Sequence, residues 1–133
     1  MKIAIVGLLV GTFGAIPCAF AADWKAVQEN DKFVDYMDKA SVKRNENIRK
    51  VWELRNYKSP RQMPGGKPYS SMKSLNEYDC KNEKKRVTYV VHYSDEMGNG
   101  SNEGPDGESP PTSWVPVIPE TVGEVLFNAA CSS

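Results

Sequence analysis

The chain has 133 residues and a formal net charge of zero, with 17 basic and 17 acidic side chains. That length allows one domain, and the balanced charge excludes the strong positive field of a nucleic-acid-binding or membrane-surface protein. Ten glycines, nine prolines and 10% aromatic residues are typical of a compact β-rich domain with long turns, not of a disordered chain.

The first 21 residues have the pattern of a signal peptide for export. Lys2 gives a positive start, residues 3–16 form an apolar run, and residues 19–21 fit cleavage after Ala21. The run is shorter than the roughly 20 apolar residues of a spanning helix, so we expect no membrane span after cleavage. Cys18 lacks the sequence context of a lipoprotein anchor, and we expect it to leave with the signal.

Cys80 and Cys131 are the only cysteines of the mature chain, residues 22–133, which we expect to form a single domain. In an exported protein such a pair indicates a disulfide bond and not a metal site. The bond would close a loop of roughly 50 residues and would tether the C-terminal segment to the rest of the fold.

Five segments are predicted as β-strands, separated by turns rich in Asn, Asp, Gly and Pro. In chain order they are residues 24–28, residues 32–37, a strand that begins at Ile48, residues 69–80 and residues 86–94. The proline-rich residues 58–68 are predicted as a loop.

Two of these strands show clear alternation. In the strand from Ile48, Trp52 and Leu54 lie on the same side as Ile48, and Glu53 lies on the other, polar side. Val51 also falls on that polar side, which indicates that this side is partly covered. In residues 86–94 one side is predicted to carry Val87, Tyr89, Val91 and Tyr93, and the other Arg86, Thr88, Val90 and His92.

The sequence changes character after residue 94. Residues 95–113 are polar and rich in Gly and Pro, which predicts a long exposed loop that is mobile or functional. Residues 114–117 are a short extended piece at a sheet edge. Helical spacing then relates the apolar residues Val122, Val125, Leu126 and Ala129. Thr121 and Glu124 are spaced as a capping box, so a short C-terminal helix is predicted.

A series of short motifs runs through the mature chain from Trp24 to Cys131. They are Tyr36 and Asp38 before Ser41, Arg44, residues 51–54 with Tyr57, Ser70-Ser71, residues 77–80, Arg86, residues 93–100, and Trp114 with Val117 and Pro119. In this order they resemble the surface-adhesin protein E family of Gram-negative bacteria.

The resemblance implies a mainly β (α+β) fold, with a single antiparallel sheet of about five to six strands. One C-terminal helix would be held on the concave side by the disulfide. It also implies a secreted or surface protein. Because Cys18 lacks the lipoprotein context, the periplasm is a further expected location, and the residues indicate an exported protein without enzymatic activity. Its partners would be host matrix proteins such as vitronectin and laminin, with a homodimer and haem binding as further family properties; the residues themselves indicate no cofactor.

The basic cluster Lys81, Lys84, Lys85 and Arg86 is the candidate ligand-binding site, although a solvated turn is the favoured explanation of these charges. His92 is the only histidine, and a packed or surface role is favoured over a haem ligand. No nucleophile–base pair or metal-ligand spacing is found, so no catalytic residue is assigned. The alternative function is a periplasmic inhibitor of a lysozyme or protease that acts through residues 95–113.

Overall fold

The computed structural model describes residues 21–104 and 111–133, together with Gly11 and Gly14. The rest of the predicted signal peptide lies outside the described residues. The main element is one antiparallel sheet. Its strands are β1 (Trp24–Glu29), β2 (Phe33–Asp38), β3 (Lys43–Asn45), β4 (Ile48–Gln62), β5 (Pro68–Asp79), β6 (Lys84–Tyr93), β7 (Asn102–Glu103) and β8 (Val115–Pro116). A single α-helix among the described residues, α1 (Val122–Cys131), follows the sheet.

The strands form a meander in the order β1-β2-β4-β5-β6, and each neighbouring pair is antiparallel. The short strand β3 pairs with the start of β4, whereas β7 and β8 pair with the two ends of β6. This arrangement confirms the predicted fold class, because the five predicted strands are the five long ones. None of the described helices is long and apolar enough to cross a membrane.

The proline-rich loop is shorter than predicted. β4 continues to Gln62 and β5 begins at Pro68, so the connection comprises only residues 63–67. Pro60 lies inside β4, where the register against β5 shifts between Asn56 and Arg61. Proline has no N–H to donate, and an irregular stretch of a strand tolerates it because the regular pairing is interrupted there. The prediction of a loop over residues 58–68 was therefore wrong at its start.

A second irregularity changes the faces of β6. The register between β5 and β6 shifts between Leu75 and Asn76, which leaves Thr88 as an extra residue in β6. Side chains of a strand alternate between faces, and one extra residue reverses the alternation beyond it. Val87 therefore lies on the opposite face from Tyr89, and the predicted single row of apolar side chains was wrong at this point.

The core lies between α1 and one face of the sheet, called here the helix face. It consists of Met37, Val51 and Tyr78 from the sheet and Leu126, Phe127 and Ala130 from α1. Thr121 caps α1 as predicted, because its Oγ1 accepts a hydrogen bond from the Glu124 amide at 3.3 Å. Val125 was predicted on the buried stripe but is 42% exposed. Phe127, which the spacing did not single out, is buried instead.

Two contacts hold the end of α1. Cys80, directly after β5, forms the predicted disulfide with Cys131, and their Cα atoms are 5.7 Å apart. The Nζ of Lys39 donates hydrogen bonds to the Ala129 carbonyl at 3.0 Å and to the Ser133 hydroxyl at 2.9 Å. A cation at this end of a helix is favourable, because the last carbonyls have no partners within the helix.

Candidate functional site

The four residues of the basic cluster do not form one surface patch. Lys81 and Lys84 are exposed where β5 turns into β6, whereas Lys85 and Arg86 are only half-exposed. Lys85 is paired with Tyr78, a residue of the helix face, and therefore points toward α1. Because neighbours in a strand point in opposite directions, Arg86 lies on the other face. Only Lys81 and Lys84 remain as an exposed basic pair, which we call the basic turn.

Arg86 is engaged within the fold. Its Nη2 donates to Glu77 Oε2 at 3.1 Å, across the β5–β6 pair. Its guanidinium also lies 4.4 Å from the centroid of the Trp114 ring, a stacking contact that arginine makes readily. These contacts fix the residues before β8 to the sheet, so Arg86 has a structural role in addition to any binding role.

Lys85 lines a concave feature beside α1. A cavity of about 360 Å³ lies between the helix face, α1 and residues 112–115. Met72, Val87 and Leu126 contribute apolar walls, while its floor carries charged and polar groups from four neighbouring strands. Those floor residues are Asp35, Glu53, Arg55, Tyr78 and Lys85.

A buried ion pair forms one side of the floor. Arg55 Nε donates to Asp35 Oδ1 at 2.7 Å, and its Nη2 donates to Oδ2 at 3.0 Å. Asp35 is 3% exposed, and the Arg55 guanidinium lies 3.8 Å from the centroid of the Phe33 ring. Such a two-point contact satisfies both partners in a fixed geometry, which is needed because an unpaired buried charge is strongly destabilising.

A buried carboxyl group forms the other side. Glu53 is 6% exposed, and its Oε2 accepts a hydrogen bond from the Tyr78 hydroxyl at 2.7 Å. Burial raises the pKa of Glu53 from 4.5 to about 7, although the hydrogen bond from Tyr78 opposes the shift. Burial and the neighbouring Glu53 in turn raise the pKa of the Tyr78 hydroxyl well above its usual value. Glu53 therefore changes charge near neutral pH.

The alternation of the sequence did not single out this polar floor. Glu53 was predicted on the polar side of its strand, which Val51 indicated to be partly covered, and the structure shows that Glu53 itself is buried beside Val51. Asp35 likewise lies two residues from Met37, which is fully buried. The spacing could have indicated these floor residues, because a charged residue two positions from a buried apolar residue in a strand lies on the same face.

A row of four rings lies at the end of the sheet away from the disulfide. We call Phe33, Tyr57, Tyr69 and His92 the ring row. Successive ring centroids are 6.0, 5.6 and 4.7 Å apart, and each contact is edge-to-face. All four side chains are half-exposed. Two cations flank the row, because Arg55 stacks on Phe33 and the exposed Arg61 lies 5.3 Å from the centroid of Tyr57.

His92 is thus a packed residue within the ring row. Its ring contacts Tyr69, and in the sheet it is paired with Glu103 of β7. Partial burial lowers the pKa of His92 from 6.5, so the neutral imidazole is favoured at neutral pH. Among the described residues, no three His, Cys, Asp or Glu side chains lie close enough together to hold a metal ion.

The first part of the predicted long loop is fixed to the sheet. Ser71 Oγ donates to the Asp95 carbonyl at 2.7 Å and accepts from the Gly98 amide at 2.8 Å. The Met97 amide also donates to Asn56 Oδ1 at 2.8 Å. These contacts lie on the face opposite α1 and cover the fully buried Leu54 there. Residues 105–110 of the loop lie outside the described residues.

Comparison with solved structures finds the same fold in protein E of Haemophilus influenzae. The crystal structure of protein E from a non-typeable strain matches with a TM-score of 0.60 and 14% identity, covering 87% of this chain and 77% of that one. Crystal form II of the protein matches with a TM-score of 0.62 and 12% identity, covering 85% of this chain and 97% of the other. No curated protein sequence matches the chain.

Comparison with family models gives a match over residues 24–132, which is nearly the whole expected mature chain. The matching model is that of surface-adhesin protein E. The resemblance stated from the short motifs is thereby confirmed, and the chain belongs to the surface-adhesin protein E family.

Proposed function

We propose that this chain is an exported binding protein without enzymatic activity, and that its ligand is an extracellular protein such as a host matrix protein. Membership of a surface-adhesin family supports a surface role. The observation that carries the binding proposal is the ring row, because it combines aromatic rings and arginines in a surface that α1 leaves half-exposed.

The ring row has the composition of an interface centre. Tyrosine and arginine dominate the small group of residues that contribute most binding energy in protein complexes. The edge-to-face contacts hold each ring in place before binding, so little side-chain freedom is lost when a partner covers them. A protein ligand is therefore proposed to cover Tyr57 and Tyr69 and to meet Arg61 at the edge.

Replacing Tyr69 by alanine is expected to weaken binding to a matrix protein at least tenfold. Tyr69 lies inside the ring row, where its ring contacts both Tyr57 and His92. Loss of a central aromatic anchor typically costs about 2 kcal/mol or more. The measurement is surface binding of the oxidised mature protein to immobilised vitronectin and laminin at physiological salt.

The matched control is Tyr36→Ala, which removes a half-exposed tyrosine from the opposite face, where Tyr36 is paired with Leu54. Its affinity should equal that of the wild type. Equal binding by Tyr69→Ala would remove the ring row from the proposal. Failure of the wild type to bind any matrix protein would remove the proposed function itself.

The basic turn is proposed to assist encounter with an acidic ligand and not to anchor it. Exposed charges mainly change the association rate and its dependence on salt. In the same assay, Lys81→Glu with Lys84→Glu should slow association at low salt and leave dissociation nearly unchanged.

A homodimer, which the family resemblance implies, would compete for the ring row, so the oligomeric state of Tyr69→Ala is measured by light scattering alongside.

Export is part of the proposal and has its own test. Mass spectrometry of the natural mature protein should give a chain that begins at Ala22, with no lipid and with Cys80 and Cys131 oxidised. An intact N-terminus, or a lipid on Cys18, would contradict the predicted processing. The alternative of an inhibitor is not proposed, because the described start of the long loop is hydrogen-bonded to the sheet at Asp95, Met97 and Gly98.

A further inference from the structure

A second cavity, of about 490 Å³, adjoins the first beside the first turn of α1. The two cavities share Arg55, Lys85, Val115 and Leu126, so they form one groove that runs from the polar floor to the surface. Both charged residues that line the second cavity, Arg55 and Lys85, are cations. Its size falls within the range of roughly 300–1,000 Å³ typical of small-molecule sites.

Lys85 makes no salt bridge at the place where it lies. No carboxylate of the described residues comes within salt-bridge distance of its Nζ. The Nζ occupies the space that a side chain at Gly123 would fill, beside the first turn of α1. The amino end of a helix carries a partial positive charge, which disfavours a neighbouring cation. An anion placed here would be stabilised by the lysine and by the helix together.

The outer part of the groove is apolar. Ile118 is 65% exposed and Val115 is 45% exposed, and both line the second cavity. Val122 and Leu126 of α1 form the facing wall. Exposed large apolar side chains gathered around a concavity mark a site that an apolar group covers.

We propose that this groove binds a single-chain aliphatic carboxylate, such as a medium-chain fatty acid. The carboxylate would lie against Lys85 and toward Arg55, and the chain would extend along Leu126 to Val115 and Ile118. A cationic amphiphile would meet two positive charges at the same place. A neutral amphiphile would leave the Lys85 ammonium without an anionic partner.

The polar floor makes this site sensitive to pH. Glu53 faces Asp35 from β2, Arg55 from its own strand, Tyr78 from β5 and Lys85 from β6. Its protonation near pH 7 removes a negative charge that opposes the ligand carboxylate. An aliphatic carboxylate stays ionised between pH 6 and pH 8, as exposed glutamate does. Affinity should therefore increase as the pH falls from 8 to 6.

The experiment is calorimetric titration of the oxidised mature protein with dodecanoate, below its micelle concentration. Dodecyltrimethylammonium and dodecyl maltoside provide the same chain with a cationic and a neutral head. Dodecanoate should bind at least tenfold more tightly than either. Equal affinity for all three would overturn the proposal, because it would show adsorption of the chain alone.

Three variants test the geometry. Lys85→Met should weaken dodecanoate binding at least tenfold, whereas the exposed control Lys81→Met should not change it. Gly123→Ala should also weaken binding, because its methyl group would displace the Lys85 ammonium, while alanine favours the helix and keeps the fold. Glu53→Gln should bind at pH 8 as tightly as the wild type does at pH 6.

The outcomes separate this site from the proposed protein-binding surface. Wild-type affinity in both Lys85→Met and Gly123→Ala, with unchanged thermal midpoints, would overturn the groove as the site. An affinity of the wild type that does not change between pH 6 and pH 8 would overturn the role of Glu53. Tyr69→Ala should bind dodecanoate normally, because the ring row is not among the residues that line the second cavity.

Discussion

Replacing both Cys80 and Cys131 by serine is expected to lower the free energy of unfolding by about 4 kcal/mol. The bond joins residues 51 positions apart, and the chain-entropy model assigns a stabilisation of this size to such a loop. A domain of this length has a total stability of about 5–15 kcal/mol. The double variant is therefore expected to lose between about a quarter and most of its stability.

In the double serine variant we expect α1 to be the element that detaches first. The helix has ten residues, and an isolated helix of that length is marginal in water. Leu126, Phe127 and Ala130 pack against Met37, Val51 and Tyr78, so the helix supplies about half of the buried core. Without the bond, only this packing and the hydrogen bonds from Lys39 hold it.

Urea unfolding of the oxidised wild type and of the double serine variant measures the effect. Limited proteolysis with chymotrypsin then locates it, because Leu126 and Phe127 are buried in the native protein and become sites for cleavage when α1 detaches. The matched control is Ser132→Ala, next to the bond on its solvent side, which should unfold like the wild type. Equal urea midpoints for the wild type and the double variant would contradict the proposed tether.

The sequence predicted the elements of the fold because their signals are local. The strand from Arg86, the cap at Thr121 and the pairing of the two cysteines each depend on a few neighbouring residues or on a simple count. The structure confirms all three, with β6 at Lys84–Tyr93, α1 capped by Thr121, and the Cys80–Cys131 bond in place.

The candidate sites could not be derived in the same way. One extra residue at Thr88 reverses the faces of β6, and no sequence signal marks it. Lys85 and Arg86, which precede this bulge, also lie on opposite faces because they are neighbours in the strand. Lys85 is paired with Tyr78 and points toward α1, whereas the Arg86 guanidinium stacks on Trp114 on the other side. A cluster that is continuous in sequence is therefore divided in space, because strand direction and register determine which surface each side chain joins.

The ring row depends on still longer-range relations. Its members come from four different strands, and they meet only because β2, β4, β5 and β6 lie in that order in the sheet. The individual residues looked like ordinary strand aromatics in the sequence. The contact between Tyr57 and Tyr69 also depends on the register of β4 against β5, which shifts between Asn56 and Arg61 and which alternation did not reveal.

Replacing Glu53 by glutamine is expected to stabilise the protein by about 3 kcal/mol at pH 8 and to have little effect at pH 4. The unfolded chain ionises this carboxyl near 4.5, whereas burial delays ionisation in the folded protein to about pH 7. Between pH 4.5 and about pH 7, Glu53 therefore stays protonated in the folded protein but not in the unfolded chain. The stability of the folded state is greatest below pH 4.5 and decreases as the pH rises through 7.

The size of the effect follows from the same two values. Each tenfold change in proton affinity corresponds to about 1.4 kcal/mol, so a rise from 4.5 to about 7 corresponds to about 3 kcal/mol. Glutamine has nearly the same shape, keeps an oxygen that accepts the hydrogen bond from Tyr78, and carries no charge to bury. The pH dependence of the wild type that originates at Glu53 should thus be absent from the variant.

The measurement is the difference in unfolding free energy between Glu53→Gln and the wild type, from urea titrations at pH 4, 6 and 8. Taking the difference cancels the carboxyl groups that both proteins share. Glu46→Gln, at an exposed turn between β3 and β4, is the control and should give no difference at any pH. A flat difference for Glu53→Gln would mean that the buried carboxyl ionises normally. Water or a counter-charge would then stabilise the Glu53 carboxylate. The predicted pH dependence of ligand binding in the groove would also be contradicted.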